Sequence, residues 1–137
     1  PAWRPGVRDR REDRPRCGIL YGTLDVVHMA GVLHHIPYAQ DVVEEIADWL
    51  KPGGELRLMV YSDVTWWKVT GTRPPDDVSL HTKALEFAQA MDGVGDYADW
   101  YDHSRLYTRF GSRFEIARCE YLDEVYWYLG AVLRVRS

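Results

Sequence analysis

The stretch LDVVHMAGVLHHIPYAQDVVEEIADWLKPGGELRLMVY, residues 24–61, decides the fold. Residues 24–30 form a short, mostly apolar run containing Val26, Val27 and Met29. A strand buried on both faces has that pattern, because it need not alternate. Gly31 breaks the run, and Pro37 suits a helix start. Over 38–50 the apolar residues Val42, Val43, Ile46, Ala47, Trp49 and Leu50 make one helical stripe, with Gln40, Asp41, Glu44, Glu45 and Asp48 opposite. Lys51-Pro52-Gly53-Gly54 is expected to stop this helix, a glycine taking a left-handed cap. Residues 56–61 are strand-like again. Strand, helix and strand at this spacing predict a βαβ unit with its two strands parallel.

Downstream the pattern is shorter-ranged. Ser62 or Asp63 is placed to cap a short helix carrying Trp66 and Trp67. Residues 78–91 repeat Leu80, Ala84, Phe87, Ala88 and Met91 at helical spacings, which predicts one helix. Residues 97–102, YADWYD, read as one irregular helical turn, and 104–110 as a short helix ended by Gly111. Residues 114–121 alternate as a strand, 122–125 turn the chain, and 126–135 form a strand apolar on both faces, which belongs inside a sheet.

Residues 1–16 differ from the rest. Six arginines against Asp9, Glu12 and Asp13 make this segment +3, which leaves −7 for the remainder of a chain of net charge −4. Three prolines and few apolar residues predict a disordered basic arm. An overall negative charge argues against nucleic acid or an anionic membrane as partner. No apolar run approaches the ~20 residues of a membrane span. Cys17 and Cys119 are too far apart for a metal-type pair and read as thiols in a reducing, cytoplasmic setting.

LDVVHMAGVLHHIP together with LKPGGELRLMVY resembles the second half of a class I S-adenosylmethionine-dependent methyltransferase. The resemblance covers residues 24–61 well, the last strands loosely, and the N-terminus not at all. It implies an α/β, partial Rossmann-like sheet: two parallel strands plus a C-terminal antiparallel hairpin, flanked by helices, with 17–137 as the C-terminal half of a methyltransferase domain. It also implies the cofactor, S-adenosylmethionine, with Met29, Ala30 and Gly31 against its amino-acid part, where ligands of open α/β sheets bind. The glycine-rich loop and the ribose-binding acid of the family are not found in the sequence, so the chain reads as truncated, and poor cofactor binding or none, with no turnover, is expected of it alone. Self-association through an exposed sheet edge is expected with it.

The chemistry-bearing residues are few. His34 and His35 are adjacent and cannot share a metal from one regular element, and no metal site is expected. Either could act as a base near neutral pH, whereas His81 and His103 read as surface residues. Trp66, Trp67, Tyr97, Trp100 and Tyr101 fall in segments that overhang the pocket in the implied family, and an aromatic wall there would hold a planar or apolar acceptor. Asp63, Asp99 and Asp102 are candidates to orient an amine or hydroxyl. Methyl transfer is a displacement at an activated carbon that requires mainly alignment, which fits the absence of a nucleophilic constellation. Two functions follow: a methyltransferase for a small-molecule acceptor, or a non-catalytic methyltransferase-like module that pairs with another chain.

Overall fold

The computed structural model describes residues 19–93 and 95–136. The basic segment 1–16 and Cys17 lie outside the described residues. Among the described residues, four strands make one sheet in the order β1-β2-β4-β3. β1 (Leu24–Ala30) runs parallel to β2 (Leu50–Tyr61), with Met29 opposite Leu58. β4 (Tyr128–Val135) lies antiparallel on the other side of β2, Leu133 opposite Leu56, and β3 (Phe114–Tyr121) pairs outside β4. The parallel pair, the hairpin and its insertion beside β2 are as the sequence predicts.

One face of this sheet carries the main core. Leu56, Leu58 and Val60 of β2 and Leu129, Ala131 and Leu133 of β4 point to the same side, because side chains of a strand alternate. They meet Val43, Ile46 and Ala47 of α1 (Ala39–Trp49) and Leu106 and Phe110 of α4 (His103–Phe110). The opposite face is wetter and charged: Arg134 bridges Glu55 at 3.2 Å and Glu115 at 3.6 Å, and Arg57 bridges Glu55 at 3.0 Å. β1 is accordingly not buried on both faces, contrary to its sequence pattern. Among the described strands it ends the sheet, and Val26 is 43% exposed.

Two boundaries differ for a backbone reason. The glycines do not cap α1: its C-cap is Leu50, already extended at φ −80° and ψ 145°. Pro52 disfavours the helical region for Lys51, so the chain leaves the helix earlier. Leu50 then pairs with Leu24, residues 51–54 swing out of register with Gly53 at φ +78°, and pairing resumes at Glu55 opposite Val26. The last strand starts at Tyr128 instead of Tyr126, because Tyr126 takes a left-handed φ of +60°. Asp123 organises that turn, its carboxylate accepting the amides of Val125 and Trp127 at 3.0 Å and of Tyr128 at 3.3 Å.

A second, aromatic cluster stands beyond the carboxyl end of β2. It joins Trp66 of α2 (Asp63–Thr70), Phe87 and Ala88 of α3 (Ala84–Asp92), and Tyr61, Val78, Ala98 and Trp100. The helix expected over 78–91 is interrupted. Val78–Leu80 is a 3-10 turn capped by Asp77, and His81 Nδ1 accepts the Lys83 amide at 3.0 Å where a helical carbonyl would have served. Leu80, assigned to the apolar stripe, is 83% exposed.

Candidate functional site

β1 and β2 both end, by virtue of being parallel, at one edge of the sheet. Met29 and Ala30 close β1 there. Gly31 follows with φ +72°, still donating its amide to the Met59 carbonyl at 2.9 Å. A Cβ on Gly31 would meet only the Met59 methyl, at 3.9 Å, and otherwise open space. The backbone therefore turns away from the sheet with room in front of it, which is the geometry close approach of a ligand requires.

The next turn, Leu33–His35, drives Leu33 and His34 into the interior. His34 is 1% exposed. Its Nδ1 accepts the Tyr61 amide at 3.0 Å, its carbonyl accepts the Asp99 amide at 2.7 Å, and its ring stacks on Tyr61 with centroids 3.6 Å apart. Burial, aided by the neighbouring His35, pushes its pKa down to about 3. His34 is thus neutral at pH 7 and too weakly basic to collect a proton there. His35 is half-buried, its Nδ1 3.3 Å from the Tyr97 carbonyl oxygen. A carbonyl can only accept, so that nitrogen carries a proton.

Residues 97–101 are not a helical turn. They run extended beside the end of β2: the Tyr101 amide donates to the Tyr61 carbonyl at 2.8 Å, and the Tyr101 carbonyl accepts the Asp63 amide at 3.0 Å. Ser62 then caps α2, its hydroxyl accepting the Thr65 amide. Buried Asp99 anchors the segment. One carboxylate oxygen accepts the Trp100 amide (2.8 Å) and Arg105 (2.9 Å), and the other accepts the Tyr97 hydroxyl (3.0 Å) and Arg109 (2.8 Å). Arg109 also donates to the Tyr101 hydroxyl at 3.0 Å. Burial, with the Asp99 charge beside it, raises Tyr101 to about 12 and Tyr97 further. Asp102 is the N-cap of α4.

The sequence-predicted residues separate accordingly. Trp66, Trp100 and Tyr101 are buried, and each indole of the two tryptophans donates into the fold, to Thr72 and to the Pro75 carbonyl. Trp67 is 49% exposed. Asp63 accepts the Tyr121 hydroxyl at 2.8 Å. Cys119 is a free thiol raised to about 11 by burial and by the charges of Asp102 and Asp63, so it is not a thiolate nucleophile. The Asp99 network was missed from the sequence. Its one signal is Arg105 and Arg109, four apart on a helix that carries no acid to pair with them.

A family model described as a methyltransferase domain matches residues 2–56. No curated protein matches the chain in sequence. Among solved structures, the S-adenosylmethionine-dependent methyltransferase from Mesorhizobium loti superposes with TM-score 0.60 at 14% identity, covering 93% of this chain and 67% of that one. A chain of the Haloferax volcanii complex between the Trm112 methyltransferase activator and a methyltransferase gives 0.61 at 16% identity, covering 85% and 56%. The Burkholderia thailandensis 1,6-didemethyltoxoflavin-N1-methyltransferase, solved with 1,6-didemethyltoxoflavin and S-adenosylhomocysteine, gives 0.56 at 14% identity, covering 85% and 46%. This chain spans about half the length of the structures it matches. The resemblance read from residues 24–61 is borne out: the chain has the fold of the class I S-adenosylmethionine-dependent methyltransferases, and residues 2–56 match the methyltransferase domain family.

Proposed function

We propose that the chain serves an S-adenosylmethionine-dependent methyltransferase that acts on a small-molecule acceptor in the cytoplasm. The observation that carries this reading is Gly31, left-handed at the carboxyl end of a parallel strand pair with open space where a side chain would stand. In this reading Met29, Ala30 and Gly31 lie against the amino-acid part of the cofactor, whose sulfonium supplies an activated methyl group when bound. Bound there, it would supply that methyl to an acceptor oxygen, nitrogen or carbon, the bond to sulfur being the one lost. His35, whose Nδ1 faces the Tyr97 carbonyl, is the candidate to take a proton lost by the acceptor. Trp67, exposed on α2, is the aromatic that meets the acceptor in this reading, while Trp66, Trp100 and Tyr101 are buried in the interior. A cytoplasmic setting agrees with Cys119 as a free thiol, and among the described residues no helix is long and apolar enough to cross a membrane.

A second reading, a non-catalytic module that pairs with another chain, is favoured by β1. It ends the sheet of described strands, with Val26 exposed along it. A sheet edge of that kind is a template for a further strand or for self-association. Titrating the isotope-labelled chain with S-adenosylhomocysteine to millimolar concentration separates the two. The methyltransferase reading expects weak but saturable amide shifts at Met29, Ala30 and Gly31. A flat titration at those amides overturns it and favours the pairing module, whose own sign is a concentration-dependent mass in sedimentation.

A further inference from the structure

We propose that His34 is a positioning residue that registers the Gly31 mouth against the end of β2 and the 97–101 segment, and not a proton carrier. The inference deepens the methyltransferase reading and rests on it for the word mouth. Its geometry stands alone.

Three stretches of chain converge on this one side chain and its backbone. The first is its own turn, Leu33–His35, two residues after Gly31. The second is the end of β2, whose Tyr61 amide donates to Nδ1 at 3.0 Å and whose Tyr61 ring lies 3.6 Å from the imidazole at an interplanar angle of 18°. The third is the 97–101 segment, whose Asp99 amide donates to the His34 carbonyl at 2.7 Å. The parallel ladder of β1 and β2 ends at Gly31, whose amide reaches the Met59 carbonyl, before the Leu33–His35 turn begins. Among the described residues, 97–101 pairs with the chain leaving β2 through one isolated bridge, Ser62 with Tyr101, not through a ladder.

The tautomer follows from the bond. Nδ1 accepts, so the ring proton sits on Nε2. A second proton on Nδ1 would set two N–H donors against each other and place a cation beside His35, whose ring centroid is 4.3 Å away. The carboxylate of Asp99, whose amide bonds the His34 carbonyl, is already matched by Arg105 and Arg109. An apolar residue of equal size would fill the space but would take this acceptor from the Tyr61 amide. Asparagine branches at the same point and places Oδ1 where Nδ1 stands.

The test compares the 137-residue chain with His34→Leu and His34→Asn. In the unsubstituted chain, long-range proton–nitrogen spectra at pH 5 should show His34 neutral and protonated on Nε2. In His34→Leu, amide exchange should speed at least tenfold at Gly31, Tyr61 and Asp99 and stay unchanged in the hairpin at Ile116 and Leu133. In His34→Asn it should stay within about threefold of the original. A cationic or Nδ1-protonated ring overturns the proposal, as does equal acceleration of mouth and hairpin amides, which marks a general packing residue. If His34→Leu does not fold, the tautomer and the asparagine variant decide, and failure of asparagine to preserve slow exchange counts against it. S-adenosylhomocysteine shifts that persist unchanged in His34→Leu sink the positioning role and leave the methyltransferase reading intact. Their absence in the unsubstituted chain sinks that reading, while the exchange pattern still judges His34.

Discussion

The molecule has two interiors built on different terms. The core between the sheet and helices α1 and α4 is largely aliphatic, made of residues such as Val43, Ile46, Leu56, Val60 and Leu133. Its backbone groups are paired in the strand ladders, so its side chains have only volume to fill. The cluster over the carboxyl end of β2 is aromatic, with Trp66 and Phe87 rings 4.6 Å apart and Tyr61 and Phe87 rings 6.1 Å apart. Its loops are held by particular side-chain bonds: Trp100 to the Pro75 carbonyl, Arg105 to the same carbonyl, Asp99 to four donors. One interior is specified by pattern, the other by particular polar contacts, and substitutions should tell them apart.

The largest effect is expected from Asp99→Ala. It leaves Arg105, itself buried, without its counter-charge, and stranding a buried charge costs about 3–5 kcal/mol. Denaturant unfolding should show that loss, and a change below 1 kcal/mol would mean the network contributes little. Next comes a matched pair. Leu133→Ala should cost about 3 kcal/mol by transfer and cavity terms, and hydrogen exchange should speed throughout the sheet. Phe87→Ala removes a comparable volume, yet its faster exchange should be confined to α2, α3 and the 97–101 segment. If both variants loosened the same amides, the two interiors would be one cooperative unit.

The pH dependence of stability sharpens the contrast further. The pKa of His34 falls from an ordinary 6.5 in the unfolded chain to about 3 in the fold. Between those values the unfolded state binds the proton and the folded state does not. Stability from this group is therefore complete above pH 6.5 and declines as pH falls toward 3, at a limiting slope of about 1.4 kcal/mol per pH unit. His34→Asn should flatten that part of the curve. A melting temperature equally acid-sensitive in the asparagine variant would assign the loss to other groups.

The same division explains what could be read from the sequence. The sheet was legible because each of its elements is a local pattern. Val42, Val43, Ile46 and Ala47 announce α1 whatever it packs on, and 114–121 alternates on its own account. The aromatic end was not legible, because its conformation is set across the chain. Nothing near Tyr97 says that the segment runs extended. Its partners are the Tyr61 carbonyl and the Asp63 amide, some forty residues earlier. Likewise the helix over 78–91 has the right periodicity but is cut where His81 accepts the Lys83 amide. Of the candidate site, Gly31 was legible as a backbone feature. The roles of His34, Trp66, Trp100 and Tyr101 depend on burial, which a residue type alone does not report.

The smallest expected change in stability, and the most selective in effect, belongs to Gly31. Two reasons for a glycine coincide there, and a larger residue confounds them. The φ of +72° strains most side chains, while the open space ahead would admit one. Asparagine separates these demands, since it tolerates the left-handed region better than other non-glycine residues. Gly31→Asn should therefore lower stability by about 1 kcal/mol or less, with β1 and β2 still paired. Its side chain would nevertheless stand in the space where the cofactor is proposed to approach. Affinity for S-adenosylhomocysteine, read from the amide shifts of Ala30 and Met59, should fall about tenfold, equivalent to about 1.4 kcal/mol. Valine at the same position adds β-branched strain in the left-handed region and should lose stability and affinity together. If asparagine lost stability and kept affinity, Gly31 would be a strand-ending turn residue and nothing more. If it kept stability and lost affinity, the space in front of Gly31 would be the ligand's, on the side of the molecule where single contacts, and not periodicity, decide the structure.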